Sequence, residues 1–234
     1  MKSWWIQKSG EQVTLALRDV PVPQPAHGEI LVRMRATSIN RGDVLARIKR
    51  HSAEGGRPAG VDGAGDVCAV GDGVAGFTTG DRVLFRAHGC FAEYAVVDAM
   101  LAAKVPAHMS WEEAAAIPVA FITAYEALVQ FGKLQRDETV LIAGASSGVG
   151  VAALQMAKVL GAWVIGVSRS AEKRARLKAL GADAVIDIHG AQGAGFAEEA
   201  LWITRKRGVD LAVNLVGGSA FADCQRALAD FGRQ

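Results

Sequence analysis

The chain has 234 residues, of which 50% are hydrophobic, and its formal net charge at pH 7 is +2. This length allows one large domain or two small ones with a buried core. A charge this close to neutral argues against nucleic acid or an anionic membrane surface as a partner.

The sequence shows no targeting or membrane segment. No apolar run reaches the roughly 18 residues that cross a bilayer, and the start, MKSWWIQKSG, is too polar for a secretory signal. Cys68, Cys90 and Cys224 are isolated and odd in number, which argues against a disulfide framework. We therefore expect a cytoplasmic protein.

The first part of the chain is rich in predicted strands. Gly, Pro and Asp signals separate short runs of strand-forming residues. These runs are Val13–Leu17, Glu29–Ala36, Gly65–Val70, Arg82–Arg86 and Ala92–Val97. Pro21, Pro23 and Pro25 predict an extended connection after the first run, because proline fixes φ and lacks an N–H group.

Short motifs in this region follow one another in a recognisable order. They are Glu29-Ile-Leu-Val-Arg, Ala36-Thr-Ser-Ile-Asn40-Arg-Gly-Asp43, Gly60-Val-Asp-Gly63-Ala-Gly65, Val70-Gly-Asp-Gly-Val74, Gly80-Asp-Arg-Val83 and Gly89-Cys-Phe-Ala-Glu-Tyr94. Together they resemble the GroES-like domain of medium-chain dehydrogenases/reductases, in particular the quinone oxidoreductase branch. The resemblance implies a GroES-like β-barrel domain for catalysis and substrate over residues 1–120. A Rossmann dinucleotide-binding domain would then occupy residues 121–234.

The same resemblance bears on metal binding. Zinc-dependent members of the family place ligands at positions that correspond to Asn40, Val61 and Val119, and none of these side chains is a good zinc ligand. His88 and Cys90 are close in sequence, but two residues cannot supply a closed tetrahedral site. We therefore predict that the protein holds no metal.

A helical segment is predicted over Trp111–Gln130. Ser110 and Glu113 have the spacing of a capping box at its start, and Pro118 is expected to interrupt it. The resemblance implies that Thr123, which belongs to a Thr-Ala-Tyr motif in this segment, lies near the nicotinamide of a bound cofactor.

The stretch Thr139–Leu160 predicts the cofactor site. Val140–Ala143 is an apolar run long enough for a buried strand, and a Gly- and Ser-rich turn follows it. Val151–Leu160 is apolar but too long for a strand, which favours a helix. With the β-branched run Trp163–Val167, these segments predict a βαβ unit of the dinucleotide-binding type.

Glycines in this turn have distinct physical roles. Gly148 would let the backbone approach a pyrophosphate, Gly150 would let the helix pack close to the strand, and the helix start would face the phosphates. The strict G-x-G-x-x-G pattern is not met, because Ala145 and Ser147 occupy glycine positions. The residues predicted here to bind the cofactor are Ser146, Ser147, Gly148, Val149 and Gly150.

Residues after the second strand of this unit indicate the preferred cofactor. An NAD site usually has an acidic residue at this strand end, about 20 residues after the turn. Here Ser168, Arg169 and Lys173 offer a hydroxyl and two cations, which suit a 2′-phosphate. We therefore predict NADPH rather than NADH.

The rest of the chain alternates helices and strands. We predict helix Ala171–Leu180, strand Ala184–Asp187, helix Phe196–Arg207, strand Val209–Val216 and helix Ala220–Leu228. In the first of these helices Glu172 is expected to point to solvent, where it complements the helix dipole. Arg174, Arg176 and Lys178 are expected to form a solvated helix face.

The fourth strand of the second domain completes the predicted cleft. Ligands gather at the carboxyl ends of parallel strands, so Asn214 and Gly217 are predicted to line the cofactor site, as in the family. A six-stranded dinucleotide fold needs two more strands, so we expect an α/β fold whose doubly wound parallel sheet is incomplete. The fourth strand would then have an unpaired edge. A homodimer is possible, although the sheet edge that relatives use for it is missing.

These patterns predict an oxidoreductase. No Ser-His-Asp set or carboxylate pair can be placed in one cleft, which fits chemistry carried mainly by a cofactor. The resemblance implies metal-free hydride transfer from NADPH to a quinone or an α,β-unsaturated carbonyl. Asn40 is the candidate polar group near the nicotinamide and the substrate oxygen, and His51 is a weaker candidate for a proton donor.

Other functions stay open. A missing C-terminal part could leave a non-catalytic NADPH-binding protein or a fragment of a longer reductase. Ile117-Pro-Val-Ala-Phe and Thr123-Ala-Tyr125 also occur in enoyl reductases of polyketide synthases, although Met1 and the lack of linkers favour a free-standing protein. A short-chain dehydrogenase would need a Tyr-x-x-x-Lys after the turn, whereas Tyr94 and Tyr125 both precede it.

Overall fold

The computed structural model describes residues 1–9, 12–48, 56–190 and 195–234. These residues form two compact units, Met1–Val119 and Ala120–Gln234. Each unit has its own sheets and its own apolar core.

The first unit contains two antiparallel sheets. The smaller sheet has the order β2-β1-β4 and consists of β1 (Lys2–Ser9), β2 (Gln12–Asp19) and β4 (Arg57–Pro58). The larger sheet has the order β7-β3-β5-β6-β8 and consists of β3 (Glu29–Ala36), β5 (Asp62–Val70), β6 (Arg82–Arg86), β7 (Tyr94–Asp98) and β8 (Ala102–Lys104). All the strands predicted for this region are confirmed. β1, β4 and β8 were not predicted, because they are short or lack apolar–polar alternation.

The core of the first unit lies on one face of the larger sheet, since successive strand side chains point to opposite faces. Its buried side chains include Ile30, Val32, Val67, Val83, Phe85, Ala95 and Val97. The close approach of β3 and β5 requires a glycine. A Cβ on Gly65 would lie 2.1 Å from the carbonyl oxygen of Arg33 on the neighbouring strand.

Short helical segments follow β3 and the larger sheet. They are α1 (Arg41–Ile48), α2 (Trp111–Ala115), α3 (Pro118–Tyr125) and a π-helical turn over Glu126–Phe131. The capping box is confirmed, because the side chains of Ser110 and Glu113 each accept the backbone N–H of the other, at 3.1 and 2.9 Å. Pro118 starts a new helix, as expected of a residue tolerated only in a first turn. None of the helices that the structure describes is long and apolar enough to cross a membrane.

The second unit is a parallel sheet covered by helices. Its elements are β9 (Thr139–Ala143), α4 (Gly148–Val159), β10 (Trp163–Val167), α5 (Ala171–Ala179), β11 (Ala184–Ile186), α6 (Ala197–Ile203), β12 (Val209–Asn214), α7 (Ala220–Ala227) and β13 (Leu228–Arg233). The strand order is β11-β10-β9-β12-β13, and every pairing is parallel. This is the arrangement of a dinucleotide-binding fold, so the predicted fold class is confirmed.

The central strand β9 is buried on both faces. Val140 and Ile142 pack with residues of α4 and α5, whereas Leu141 and Ala143 pack with residues of α6 and α7. A strand with helices on both sides needs a nearly continuous apolar run, which explains why TVLIA could be assigned from the sequence.

The end of the chain differs from the prediction. Helix α7 ends at Ala227, and Leu228–Arg233 forms β13, which pairs with β12. The expectation that the fourth strand of this sheet has an unpaired edge was therefore wrong. The segment LADFGR lacks strand alternation, and its pairing is irregular, with a left-handed φ of 62° at Phe231. Contact with β12, rather than local propensity, makes this segment a strand.

Arg233 connects this last strand to Glu138 and Gly132 of the same unit by hydrogen bonds. Its guanidinium donates to the two carboxylate oxygens of Glu138 at 3.0 and 2.5 Å and to the carbonyl oxygen of Gly132 at 2.7 Å. Bidentate charged contacts of this kind are stronger than single neutral ones. The two side chains are 34% and 21% exposed, so solvent weakens the pair without removing it.

Loss of this contact should destabilise the second unit. For Arg233→Met, which keeps much of the apolar stem, we expect the free energy of unfolding to fall by about 1–2 kcal/mol, after allowance for partial exposure. Urea unfolding followed by far-UV circular dichroism measures the change. The matched control is Arg176→Met, because Arg176 and Glu172 form a pair that is 75% and 73% exposed and should contribute less than about 0.5 kcal/mol. Equal losses in both variants would contradict the role of Arg233.

Candidate functional site

The turn between β9 and α4 is held by its own hydrogen bonds. The Ser147 hydroxyl donates to the carbonyl oxygen of Gly144 at 2.9 Å and accepts from the N–H of Gly150 at 3.1 Å, which makes Ser147 the N-cap of α4. Gly144 has a φ of 82°, in the left-handed region that favours glycine. The first amides of a helix have no carbonyl partner inside the helix. The N–H groups of Gly148 and Val149 are therefore the donors that this helix start offers to an anion.

The later glycines of the turn are needed for different reasons. A Cβ on Gly150 would lie 2.4 Å from the carbonyl oxygen of Gly144 and 2.6 Å from backbone atoms of Ala145, so a side chain there would force the turn apart. A Cβ on Gly148 would meet no protein atom within 4 Å. The space in front of the helix start is therefore open, which fits the pyrophosphate of a dinucleotide.

These two glycines should respond in opposite ways to alanine. We expect Gly150→Ala to lower the free energy of unfolding by about 1–3 kcal/mol, because the backbone must shift to admit the methyl group. Gly148→Ala should leave stability unchanged or raise it by less than about 1 kcal/mol, since alanine is the better helix former. Urea unfolding compares the two variants. A Gly150→Ala variant as stable as the wild type would contradict the close contact.

The predicted residues after β10 are not equivalent. Ser168 is only 4% exposed and its hydroxyl shares a hydrogen bond of 2.9 Å with that of Ser146, so it ties the strand end to the glycine turn. Arg169 and Lys173 are exposed, and neither forms an ion pair with any carboxylate in the described ranges. Glu172 is exposed, as expected, and it pairs with Arg176 along its own helix. Two unpaired cations thus stand where β10 ends, an environment that suits a phosphate group.

The prediction that Arg174 lies on a solvated face of α5 was wrong. Its side chain is half-buried, and Nη1 donates to the carbonyl oxygens of Ser168 and Arg169 at 2.8 Å each and to the Asp187 carboxylate at 2.7 Å. One guanidinium therefore joins the ends of β10 and β11. The helical pattern assigned a face to this residue but could not show which strand ends approach that face.

The turn after β12 forms a third part of the sheet edge. Asn214 pairs in register with Ala143, so the end of β12 lies beside the glycine turn. The side-chain oxygen of Asn214 accepts the N–H groups of Val216 and Gly217 at 3.0 and 2.9 Å. Asn214 thus builds this turn, and Gly217, with a left-handed φ of 75°, has open space where a side chain would stand.

The remaining predicted residues belong to other elements. Thr123 is exposed on α3. Asn40 is half-buried in the first unit and directly precedes α1. His51 lies outside the described residues.

Asn40 belongs to a polar cluster that the sequence analysis missed. Its Nδ2 donates to the Ser38 hydroxyl at 2.9 Å and to Oδ1 of Asp62 at 3.1 Å. The Ser38 hydroxyl donates to the same Asp62 oxygen at 2.6 Å, and the backbone N–H of Val119 donates to Oδ2 at 3.2 Å. Asp62 is therefore the acceptor that orients the Asn40 amide. The available signal was an acidic residue inside the glycine-rich run that opens β5.

Asp62 is fully buried, at 0% exposed. Burial raises the pKa of its carboxyl above the ordinary value, and the negative charge of Asp43 adds to this shift. Hydrogen bonds from Ser38, Val119 and Asn40 favour the ionised form and oppose the shift without cancelling it. The first unit thus holds a carboxyl group in an environment that penalises its charge.

This raised pKa should make the stability of the first unit depend on pH. A carboxyl whose pKa is higher in the folded than in the unfolded state gains protons on folding, so stability rises as pH falls through the folded pKa toward the ordinary value of 3.8. We expect the free energy of unfolding of the wild type, measured relative to Asp62→Asn, to rise from about pH 7 to about pH 4.5. Urea unfolding of both proteins at both pH values checks it. A difference that is flat or falls over this window would show that the pKa is not raised.

The residues of the structure do not fit a zinc site. In the ranges that the structure covers, no group of three or more His, Cys, Asp or Glu side chains could hold a metal ion. Burial and the charge of Asp62 raise the pKa of the Cys90 thiol to about 12. Such a thiol stays protonated at neutral pH and is a poor metal ligand.

Two family models match the chain. The model described as alcohol dehydrogenase GroES-like domain matches residues 26–107, in the first unit. The model described as zinc-binding dehydrogenase matches residues 148–234, in the second unit.

Known proteins are similar over most of the chain. Prostaglandin reductase-3 of Bos taurus is 38% identical over 229 residues, which are 95% of this chain and 58% of that protein. The reducing polyketide synthase PKS1 of Cochliobolus heterostrophus is 34% identical over 206 residues, which are 88% of this chain and 8% of that protein. The chain therefore spans less than two thirds of the length of these curated relatives. The crystal structure of Escherichia coli quinone oxidoreductase complexed with NADPH is similar with a TM-score of 0.87 and 30% identity, over 97% of this chain and 70% of that one.

Proposed function

This chain belongs to the medium-chain dehydrogenase/reductase family, and from this premise we propose that it binds NADPH and reduces a quinone or an α,β-unsaturated carbonyl without a metal. One observation carries the proposal. At the carboxyl edge of the parallel sheet, the open start of α4 lies beside the end of β10, where the exposed cations Arg169 and Lys173 stand. The fold supplies a phosphate site at the first of these places and a counter-charge for a second phosphate near the other.

Different residues of the sheet edge would bind different parts of the cofactor. Ser147 caps α4, which leaves the N–H groups of Gly148 and Val149 for the pyrophosphate. Arg169 and Lys173 would bind the 2′-phosphate, the group that distinguishes NADPH from NADH. When bound, NADPH supplies the hydride. The similarity to a quinone oxidoreductase solved with NADPH supports the same cofactor here.

The cluster around Asn40 engages one N–H of its amide. The Ser38 hydroxyl oxygen and Oδ1 of Asp62 both face Nδ2 and lie only 2.6 Å apart, so a single N–H points to both of them. The second N–H and the side-chain oxygen of the amide are not used by this cluster, so Asn40 keeps both a donor and an acceptor. A role for Asn40 near the nicotinamide and the substrate oxygen, which the resemblance implies, stays a prediction.

A second candidate reaction is the reduction of an enoyl thioester. The match to a reducing polyketide synthase over 88% of this chain favours it. Both reactions place a hydride on a carbon conjugated to a carbonyl group, so one site could serve either substrate. The two candidate substrates differ in the group bonded to the carbonyl carbon, which is carbon in a quinone or enone and sulfur in an enoyl thioester. Measuring turnover with each substrate class separates the two reactions.

The test begins with NADPH and NADH binding to the purified chain, followed by calorimetry or intrinsic fluorescence. We expect tighter binding of NADPH, and we expect Lys173→Ala to weaken it about tenfold while NADH binding changes little, since one charged hydrogen bond contributes about 1.5–3 kcal/mol. Lys178→Ala is the matched control, because Lys178 lies on the same helix but donates to the backbone oxygen of Asp183. Tighter binding of NADH by the wild type would refute the cofactor assignment.

Turnover is measured on the same samples. Loss of NADPH absorbance is followed after addition of a quinone, a small enone and an enoyl thioester in turn. Oxidation with the first two supports the main proposal, and oxidation with the thioester alone supports the second candidate. Binding without turnover of any substrate would support a non-catalytic NADPH-binding protein.

A further inference from the structure

Two neighbouring strand ends of the second unit share a single guanidinium. Arg174 donates to the carbonyl oxygens of Ser168 and Arg169 and to the carboxylate of Asp187, all within 2.8 Å. The backbone N–H of Ser168 donates to the carbonyl oxygen of Ile186 at 3.0 Å. Asp187 therefore stands beside the segment that carries Arg169, one of the cations assigned to the 2′-phosphate.

An acidic residue at this place opposes the proposed cofactor preference. The backbone N–H of His189 and the charge of Arg174 hold the pKa of Asp187 below its ordinary value, so its carboxylate is ionised at neutral pH. A free carboxylate here would repel a phosphate and could accept a hydrogen bond from a ribose hydroxyl, as acidic residues do in NAD sites. In this chain the carboxylate is paired with Arg174.

We propose that Arg174 is a positioning residue that sets the preference for NADPH by neutralising the charge of Asp187 beside the segment that carries Arg169. The inference rests on the proposed function, in which this sheet edge binds NADPH. Arg174 acts through its neighbours: its Nη1 donates to two carbonyl oxygens and one carboxylate of the chain itself. Arg169 and Lys173 then meet the 2′-phosphate without a competing negative charge.

A purely structural role for Arg174 has a different signature. Distortion of the strand ends would weaken NADPH and NADH alike, since both share the adenosine and pyrophosphate. Without Arg174, the negative charge of Asp187 would be unpaired and would repel the 2′-phosphate. This repulsion would weaken the binding of NADPH but not that of NADH. The ratio of the two dissociation constants therefore separates the two roles, and absolute affinity does not.

The experiment measures dissociation constants of NADPH and NADH for the wild type and three variants. In Arg174→Ala we expect the preference for NADPH over NADH to fall about tenfold, the size of one charged contact. In Arg174→Ala/Asp187→Asn the preference should recover by at least about threefold, because the released charge is gone. Arg176→Ala is the matched control on the same helix, and its preference should equal that of the wild type.

The outcomes are distinct. Equal weakening of both cofactors in Arg174→Ala, or no recovery in the double variant, would overturn the inference and leave the proposed function intact. A wild type that does not prefer NADPH would overturn the proposed function, and this inference with it. Circular dichroism checks folding. If Arg174→Ala does not fold, Arg174→Lys is measured instead, and it should lower the preference about threefold because lysine cannot reproduce the planar fork of arginine.

Discussion

The turn between β9 and α4 can close only because residue 150 has no side chain. A Cβ there would lie 2.4 Å from the carbonyl oxygen of Gly144, which also accepts the hydroxyl of Ser147. With the turn closed, α4 starts at the edge of the sheet, and its first amides face the open space left by Gly148. The phosphate binding that we propose for this edge would depend on that closure.

The parallel sheet brings segments that are distant in sequence to the same edge. The hydroxyls of Ser146 and Ser168 join the glycine turn to the end of β10. The N–H of Leu215 donates to the carbonyl oxygen of Ala143 at 3.1 Å and joins the end of β12 to the same turn. Because parallel strands end on one side, successive βα connections build one cleft. This geometry brings three different loops to the place proposed for the cofactor.

Several polar side chains near this edge are buried or form hydrogen bonds within the protein. Ser168 is buried, Asn214 holds its own turn, and Arg174 joins two strand ends. Arg169 and Lys173 are exposed and form no ion pair within the described part of the chain, and the proposed cofactor preference rests on these two side chains. In the first unit Asp62 has a similar supporting role, since its buried carboxylate orients Asn40.

The sequence alone determined the elements whose pattern is local. The apolar run of β9, the glycine turn, the capping box at Ser110 and the break at Pro118 each follow from the chemistry of a few adjacent residues. These elements sufficed for the fold class, and they located the glycine turn and the two exposed cations after β10. They also supported the resemblance to the family.

Only the tertiary structure decided which polar groups are free. It paired Arg174 with Asp187, buried Asp62 against Asn40, and turned the segment Leu228–Arg233 into a strand beside β12. Each outcome depends on a partner far away in the chain. Helical or strand periodicity assigns a residue to a face, but the energy of a charge or an amide depends on the groups that the fold brings to that face.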